Sequence, residues 1–226
     1  MNPQVKRRAP LSEQPLAQSQ LPDLLQRVYA NRGVTDPAHL EMSIHNILPP
    51  SSLMGVDAAA KLLYEAIKND QPMTIVGDYD ADGATSTTVA MRGLSSLGAK
   101  QVGYIVPNRF EFGYGLTPEI VDLAQKSAPK LIITVDNGIS SIAGVQHARE
   151  LGIDVLVTDH HLPGRELPVA NVIVNPNQPG DDFASKSLAG VGVMFYVLIA
   201  LRSYMREQDW FKSQNISEPN FAELLD

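Results

Sequence analysis

Five short apolar runs recur between residues 73 and 174: MTIV (73–76), VGYIV (102–106), LIITV (131–135), DVLVT (154–158) and NVIV (171–174). Runs this short, with no polar alternation, suit strands that are covered on both faces. Between the first four lie ATSTTVAMRGLSSL, TPEIVDLAQKS and SIAGVQHAREL, whose apolar residues fall at helical spacing. Strand and helix in alternation predict an α/β fold, doubly wound, with a mostly parallel five-stranded sheet.

The flanking segments divide the rest. Residues 1–20, rich in Pro, Gln and Ser and carrying Lys6, Arg7 and Arg8, read as a flexible arm; 21–70 read as a helical lead-in and 71–226 as the α/β domain. In the lead-in, VDAAAKLLYEAIKND is a helix with Asp57 as its expected cap. After the fifth strand, NPNQPGDDF is a loop, and SLAGVGVMFYVLIALRSYMREQDW is a long apolar helix with Ser187 available as its cap. Its 14-residue apolar run, Leu188 to Leu201, is too short for a bilayer span. The N-terminus lacks the continuous apolar stretch of a secretory signal. Zero cysteines exclude a disulfide framework and any thiolate metal site. The expected location is cytoplasmic, with no membrane partner. A net charge of −7 argues against a whole-surface footprint for nucleic acid, but not against a local one at a cation-bearing site.

The stretch VGDYDADGATSTT (76–88) places Asp78, Asp80 and Asp82 at alternate positions before Gly83. It opens like a calcium loop, yet the twelfth position, where a bidentate Glu belongs, is Val89. Two more strands end in similar chemistry: LIITV in Asp136, Asn137 and Gly138, and DVLVT in Asp159, His160 and His161. Taken alone, Asp136 before Asn-Gly is an ordinary cap or Asx-turn residue, and a His-His pair an ordinary loop. Together they reach the carboxyl edge of one sheet, where open α/β folds build their sites. So many acids and imidazoles repel one another unless cations lie among them. Oxygen and imidazole ligands without sulfur favour Mn2+ or Mg2+. The number of carboxylates argues for two ions, with Asp136 on the middle strand as the bridge. Such a pair acidifies a water and clamps the oxygens of a phosphate ester.

VGDYDADGATST, VDNGIS, VTDHHLPG and KSLAGVGVMFY resemble the first three motifs and a glycine loop of the DHH phosphoesterase family. PNRFEFGYGL (107–116) resembles its branch of exonucleases specific for single-stranded DNA, and the likeness covers nearly everything after residue 20. The resemblance implies a two-ion site, usually Mn2+, that hydrolyses phosphodiesters. It also implies digestion of single strands from the 5′ end to mononucleotides, in recombination and repair. On the family's pattern Asp80 serves the first ion, Asp82 and His160 the second, and Asp136 both. Asp78 is a ligand or a neighbour of the ligands. Asp159 orients a ligand by hydrogen bonding, and His161 contacts the scissile phosphate as an electrophilic stabiliser. The implied partners are single-stranded DNA and a helicase or single-strand-binding protein.

Arg109 is placed to pair with phosphate and Tyr114 to offer a stacking face, while Phe110 and Phe112 either stack on bases or pack the loop down. Ser187, Gly190 and Gly192 form a loop whose amides would cradle a phosphate, although close helix packing explains the glycines equally. His39, His45 and His147 lie off the constellation and read as solvated surface, His45 one turn from Glu41. Exonucleases of this branch continue through a fourth acidic motif, a second lobe and an OB-fold, whereas the sequence stops at Leu224, Leu225 and Asp226. The expectation is a fragment or truncated paralogue that binds Mn2+ and cuts weakly or not at all, since a closing lobe excludes bulk water. Rival readings are a DHH hydrolase of short oligonucleotides, cyclic dinucleotides or pyrophosphate, and a scaffold that binds single strands without cutting. A haloacid-dehalogenase-type phosphatase shares the D-x-D after a first strand, but His160 and His161 have no place in its mechanism.

Overall fold

The five apolar runs form β1 (Met73–Val76), β2 (Val102–Ile105), β3 (Leu131–Val135), β4 (Asp154–Thr158) and β5 (Val172–Val174). The computed structural model describes residues 15–41 and 46–225, with the Arg109 side chain excepted. Lys6, Arg7, Arg8 and His45 therefore lie outside the described residues. The strands pair in the order β2-β1-β3-β4-β5, every neighbouring pair parallel.

Helices on both faces explain why β1, β3 and β4 lack polar alternation, whereas β2, expected to be covered as well, is an edge strand with Gly103 and Tyr104 exposed. Among the described residues the helices are α1 (Asp23–Ala30), α2 (Val56–Lys68), α3 (Ala81–Ser96), α4 (Arg109–Phe112), α5 (Pro118–Gln125), α6 (Ile142–Glu150), α7 (Gly190–Glu207) and α8 (Trp210–Ser213). On one face Ile120 and Val121 of α5 and Val145 and Ala148 of α6 pack with Ile132, Val155 and Val157 of the strands. Alternation along β3 sends Leu131 and Ile133 to the other face, where α7 packs against α2 and α3 and meets β3 and β4. Each fully buried Leu, Ile or Val contributes roughly 1.5–3 kcal/mol by leaving water.

Two compact units are distinguished, residues 1–48 and 49–226. In the first, α1 carries Asp23 in its first turn and Arg27 in its last, matching the helix dipole. A 3-10 turn at Pro37–Leu40 is opened by Asp36, whose carboxylate accepts from the Ala38 amide at 2.8 Å. The second unit holds the whole sheet and also α2, which the sequence reading assigns to the lead-in. Asp57 does not cap α2. Gly55 does, at φ 83°, because a Cβ there would stand 2.2 Å from the Ile173 carbonyl oxygen. Asp57 instead lies in the first turn, where a carboxylate complements the dipole. Nor does Ser187 cap the apolar helix: α7 starts at Gly190 behind Ala189 and has no side-chain cap. Among the described residues no helix is long and apolar enough to cross a membrane.

The strand order reverses direction at β1. The chain moves to β2 on one side and returns to β3 on the other, which opens a crevice beyond the carboxyl ends of β1 and β3. Ligands of doubly wound sheets bind at such a switch point. Asp136 follows β3 directly, and Asp78 follows β1 after Gly77.

Candidate metal centre

The three alternating carboxylates straddle a helix start. Asp80 is the N-cap of α3, its Oδ1 accepting from the Gly83 amide at 2.9 Å, so the helix begins at Ala81 rather than at the expected Ala84. Asp78 is buried in the preceding loop and accepts from the Tyr79 amide at 2.8 Å. Gly83 lets the turn close, since a Cβ there would sit 2.5 Å from the Asp78 carbonyl oxygen. Asp82 lies in the first turn of α3 and is also held from across the crevice. The Gly190 and Val191 amides donate to its two carboxylate oxygens, each at 2.8 Å. The amino ends of α3 and α7 thus converge on one anion, as their dipoles favour.

Gly190 therefore gives its amide to Asp82, not to an open cradle, and its missing side chain serves a close approach. A Cβ at Gly190 would stand 2.6 Å from Asp136 Oδ1. Gly192 is a packing residue too: its Cβ would meet the Leu188 side chain at 2.5 Å.

Asp136 leaves β3 with a left-handed φ of 60°, a region that Asp tolerates better than most residues. Its backbone is pinned on both sides: its amide donates to the Thr158 carbonyl and its carbonyl accepts from Tyr114 Oη, both at 3.0 Å. Next to it, the Asn137 amide group donates to the carbonyls of Val76 and Val135, tying the ends of β1 and β3 together.

Asp159 organises the histidines. Its Oδ1 accepts from the amides of His160 (2.7 Å) and His161 (3.1 Å) and from His161 Nδ1 (2.7 Å), while Oδ2 accepts from the Ile139 amide at 2.9 Å. Burial alone would push this carboxyl up. The bonds from the His161 ring and from the Ile139 and His161 amides outweigh it and hold Asp159 below its usual range. The same bond to Asp159 raises the His161 imidazole against the opposing effect of burial, helped by the charges of Asp159, Asp136 and Asp80.

The remaining imidazole faces two acids. His160 Nε2 is 3.4 Å from Asp82 Oδ2 and 3.1 Å from Asp136 Oδ1. Asp136 is only 2% exposed, and among the described residues its Oδ1 nevertheless accepts no hydrogen bond. Burial drives its carboxyl up to about 7, with Asp82 and then Asp80 adding to the rise and His161 opposing it. A buried carboxylate oxygen with no donor, flanked by another carboxylate and an imidazole nitrogen, is the environment that a divalent cation completes. One ligand atom each from Asp136, His160 and His161 lies within 4.8 Å of the others.

The structure thus brings Asp82, Asp136, His160 and His161 together, with Asp159 beneath them and Asp78 and Asp80 on the adjoining turn. Phe112 packs against the α5–α6 core, whereas Phe110 is 93% exposed. Tyr114 is turned toward the site, with Oη 3.3 Å from His161 Nδ1 and the rings edge-to-face. The Arg109 side chain lies outside the described atoms. His39 is exposed, and His147 bonds Asp122 at 2.8 Å, outside the cluster. Sequence reasoning missed Asn175 and Asn177, whose side-chain amides donate to the carbonyls of His161 (3.0 Å) and His160. Their only signal is a Pro/Asn/Gly composition, which marks a turn and names no partner.

Comparison with known proteins agrees with this geometry. The profile of the DHH family, N-terminal domain, matches residues 72–225. The single-stranded-DNA-specific exonuclease RecJ of Escherichia coli K12 is 55% identical over 208 residues, 92% of this chain and 36% of the relative. That of Haemophilus influenzae Rd is 48% identical over 203 residues, 90% of this chain and 35% of the relative. The chain therefore spans little more than a third of the length of these relatives. Among solved structures, an exonuclease RecJ bound to manganese superposes with a TM-score of 0.63 at 36% identity, over 76% of this chain and 41% of that one. RecJ from Thermus thermophilus in complex with Mn2+ gives 0.62 at 32% identity, over 84% of this chain and 25% of that one. From the carboxylate turn after β1 to the paired histidines after β4, this chain belongs to the DHH family.

Proposed function

We propose that the chain carries the metal-binding active site of a phosphodiesterase that removes nucleotides from the 5′ end of single-stranded DNA in recombination and repair. One observation carries the reading: the buried Asp136 Oδ1 has no hydrogen-bond donor among the described residues and lies 3.1 Å from His160 Nε2. The RecJ relatives, named as single-stranded-DNA-specific exonucleases, support the substrate class.

In this reading Asp82, His160 and Asp136 would hold one divalent cation, and Asp80 and Asp136 the other, with Asp78 a ligand or a neighbour of the ligands. Bound there, Mn2+ or Mg2+ supplies Lewis acidity to the phosphate and acidifies a water nucleophile. The chain's own residues do the rest. The Gly190 and Val191 amides fix both oxygens of Asp82, so this ligand pays little ordering entropy on binding. His161, oriented by its Nδ1 bond to Asp159, which also raises its pKa, turns Nε2 toward a phosphoryl oxygen and, when protonated, stabilises the charge that grows there. Arg109 pairs with the strand's phosphates, and Phe110, exposed on the same loop, offers a stacking face worth about 1–3 kcal/mol per base. A helicase or single-strand-binding protein that presents the strand is the proposed companion, and the cytoplasm the proposed location.

Mn2+ titration calorimetry on the chain and on its Asp136→Ala variant tests the metal reading: binding in the parent and none in the variant is expected. Product analysis in Mn2+ tests the substrate: the cutting expected of this chain is weak, and what there is should release mononucleotides from 5′-labelled single strands in preference to hydrolysing dinucleotides. A parent that binds no Mn2+, or a preference for dinucleotides, overturns the assignment.

A further inference from the structure

The His160–His161 dipeptide has four backbone polar groups, and side chains capture all of them. Asp159 takes both N–H groups. Asn177 Nδ2 donates to the His160 carbonyl and Asn175 Nδ2 to the His161 carbonyl. The two asparagines are themselves coupled, since the Asn177 amide N–H donates to Asn175 Oδ1 at 2.7 Å. Asn177 Nδ2 also reaches the Lys186 carbonyl at 3.2 Å. Lys186 in turn draws the loop closed: its Nζ donates to the carbonyls of Pro176 (2.6 Å) and Asp181 (2.7 Å) and to Asp181 Oδ1 (3.0 Å). Four residues beyond Lys186, the chain delivers the Gly190 and Val191 amides to Asp82.

We infer that the loop from Asn175 to Val191 is a clasp that sets His160 against Asp82, with Asn177 as its central positioning residue. Neither asparagine is among the residues assigned above to the cation or the substrate. Their effect runs through the main chain of His160 on one side and through the start of α7 on the other. An ordinary loop would leave the two carbonyls to water. Here a fully buried Asn175 and a half-buried Asn177 hold them, so the imidazole's direction is fixed before any ligand arrives.

This inference rests on the metal reading above and is separable from it. Asn177→Asp keeps the shape, removes the donor and sets a carboxylate oxygen against the His160 carbonyl. Mn2+ affinity measured by calorimetry on the whole chain is expected to fall about 10-fold or more, the usual effect of losing a hydrogen bond behind a metal ligand. The visible spectrum of the Co2+-loaded chain, which reports ligand geometry, is expected to change shape as well. Asn177→Gln, which restores an NH2 group on a longer arm, should recover part of the affinity. Asn69→Asp, at the exposed end of α2, should change neither readout. Should Asn177→Asp fail to fold, Lys186→Met decides, with a loss of roughly threefold or more in Mn2+ affinity expected because the clasp is loosened and not cut. Wild-type affinity and an unaltered Co2+ spectrum in the deciding variant overturn the inference. A parent chain that binds neither Mn2+ nor Co2+ overturns the metal reading instead.

Discussion

Replacing Asp136 by Asn should make the cation-free protein more stable and the cation-loaded protein impossible. The parent carboxyl is 2% exposed and titrates at about 7 in place of 3.8. At 1.36 kcal/mol per pH unit, a rise of roughly three units corresponds to about 4 kcal/mol by which the ionised group destabilises the fold. Water reaching the quarter-exposed Asp82 and His160 relaxes part of that, leaving about 2–4 kcal/mol. The sign follows from proton binding. Between pH 3.8 and about 7 the folded state holds a proton that the unfolded state has lost, so parent stability falls as pH rises through that window. The carboxamide of the Asp136→Asn variant cannot ionise, and this contribution to the slope vanishes. Urea unfolding in a chelating buffer should show variant and parent nearly equal at pH 4. By pH 8 the variant should lead by about 2–4 kcal/mol, a rise of roughly 10 °C in melting temperature for a domain this size. Saturating Mn2+ at 100 times the dissociation constant should then add about 2.7 kcal/mol to the parent and nothing to the variant. An Asp136→Asn protein less stable than the parent at pH 8 without cations, or one with the parent's pH slope, would show that Asp136 is satisfied by something other than a cation.

Other substitutions probe separate contacts. Gly190→Ala puts a methyl group 2.6 Å from Asp136 Oδ1, and a cost of about 1–3 kcal/mol with greatly weakened Mn2+ binding is expected by chemical denaturation and calorimetry. Asp159→Asn leaves an amide where four N–H groups converge and should cost about 1–3 kcal/mol. Asp159 is depressed and His161 raised, so the pair's contribution is whole between pH 3.8 and 6.5; it fades as acid titrates Asp159 and as base titrates His161. The gap between parent and Asp159→Asn in chelator should therefore be wider at pH 5 than at pH 9. Tyr114→Phe removes one of the two pins on the left-handed Asp136 backbone, and a loss of about 0.5–1.5 kcal/mol is expected, read by thermal melting.

The three central strands were legible because they are buried on both sides. MTIV, LIITV and DVLVT appear as strands with the expected bounds, since a run of β-branched residues covered by two helical layers leaves no other period to read. The site was legible for a related reason: acids and imidazoles at strand ends have one edge to go to. What stayed hidden depends on contacts between distant segments. The start of α3 is decided by the Asp80 carboxylate reaching Gly83, and α2 begins at Gly55 because of a carbonyl on Ile173. Nothing in the run NPNQPG says that its asparagines grip residues 14 and 17 positions earlier. Gly190 could be read as a phosphate cradle because a bare amide looks the same in sequence whether it meets a ligand or Asp82.

Asp82, Asp136 and His160 hang from three parallel strands, and no hairpin joins any two of them. A cation finds no partial nest on a half-made chain, because parallel pairing is a slow, long-range event that must finish first. On the proposed reading its grip would act late: it would lengthen the lifetime of the finished protein far more than hasten its birth, like a bolt shot after the door has closed.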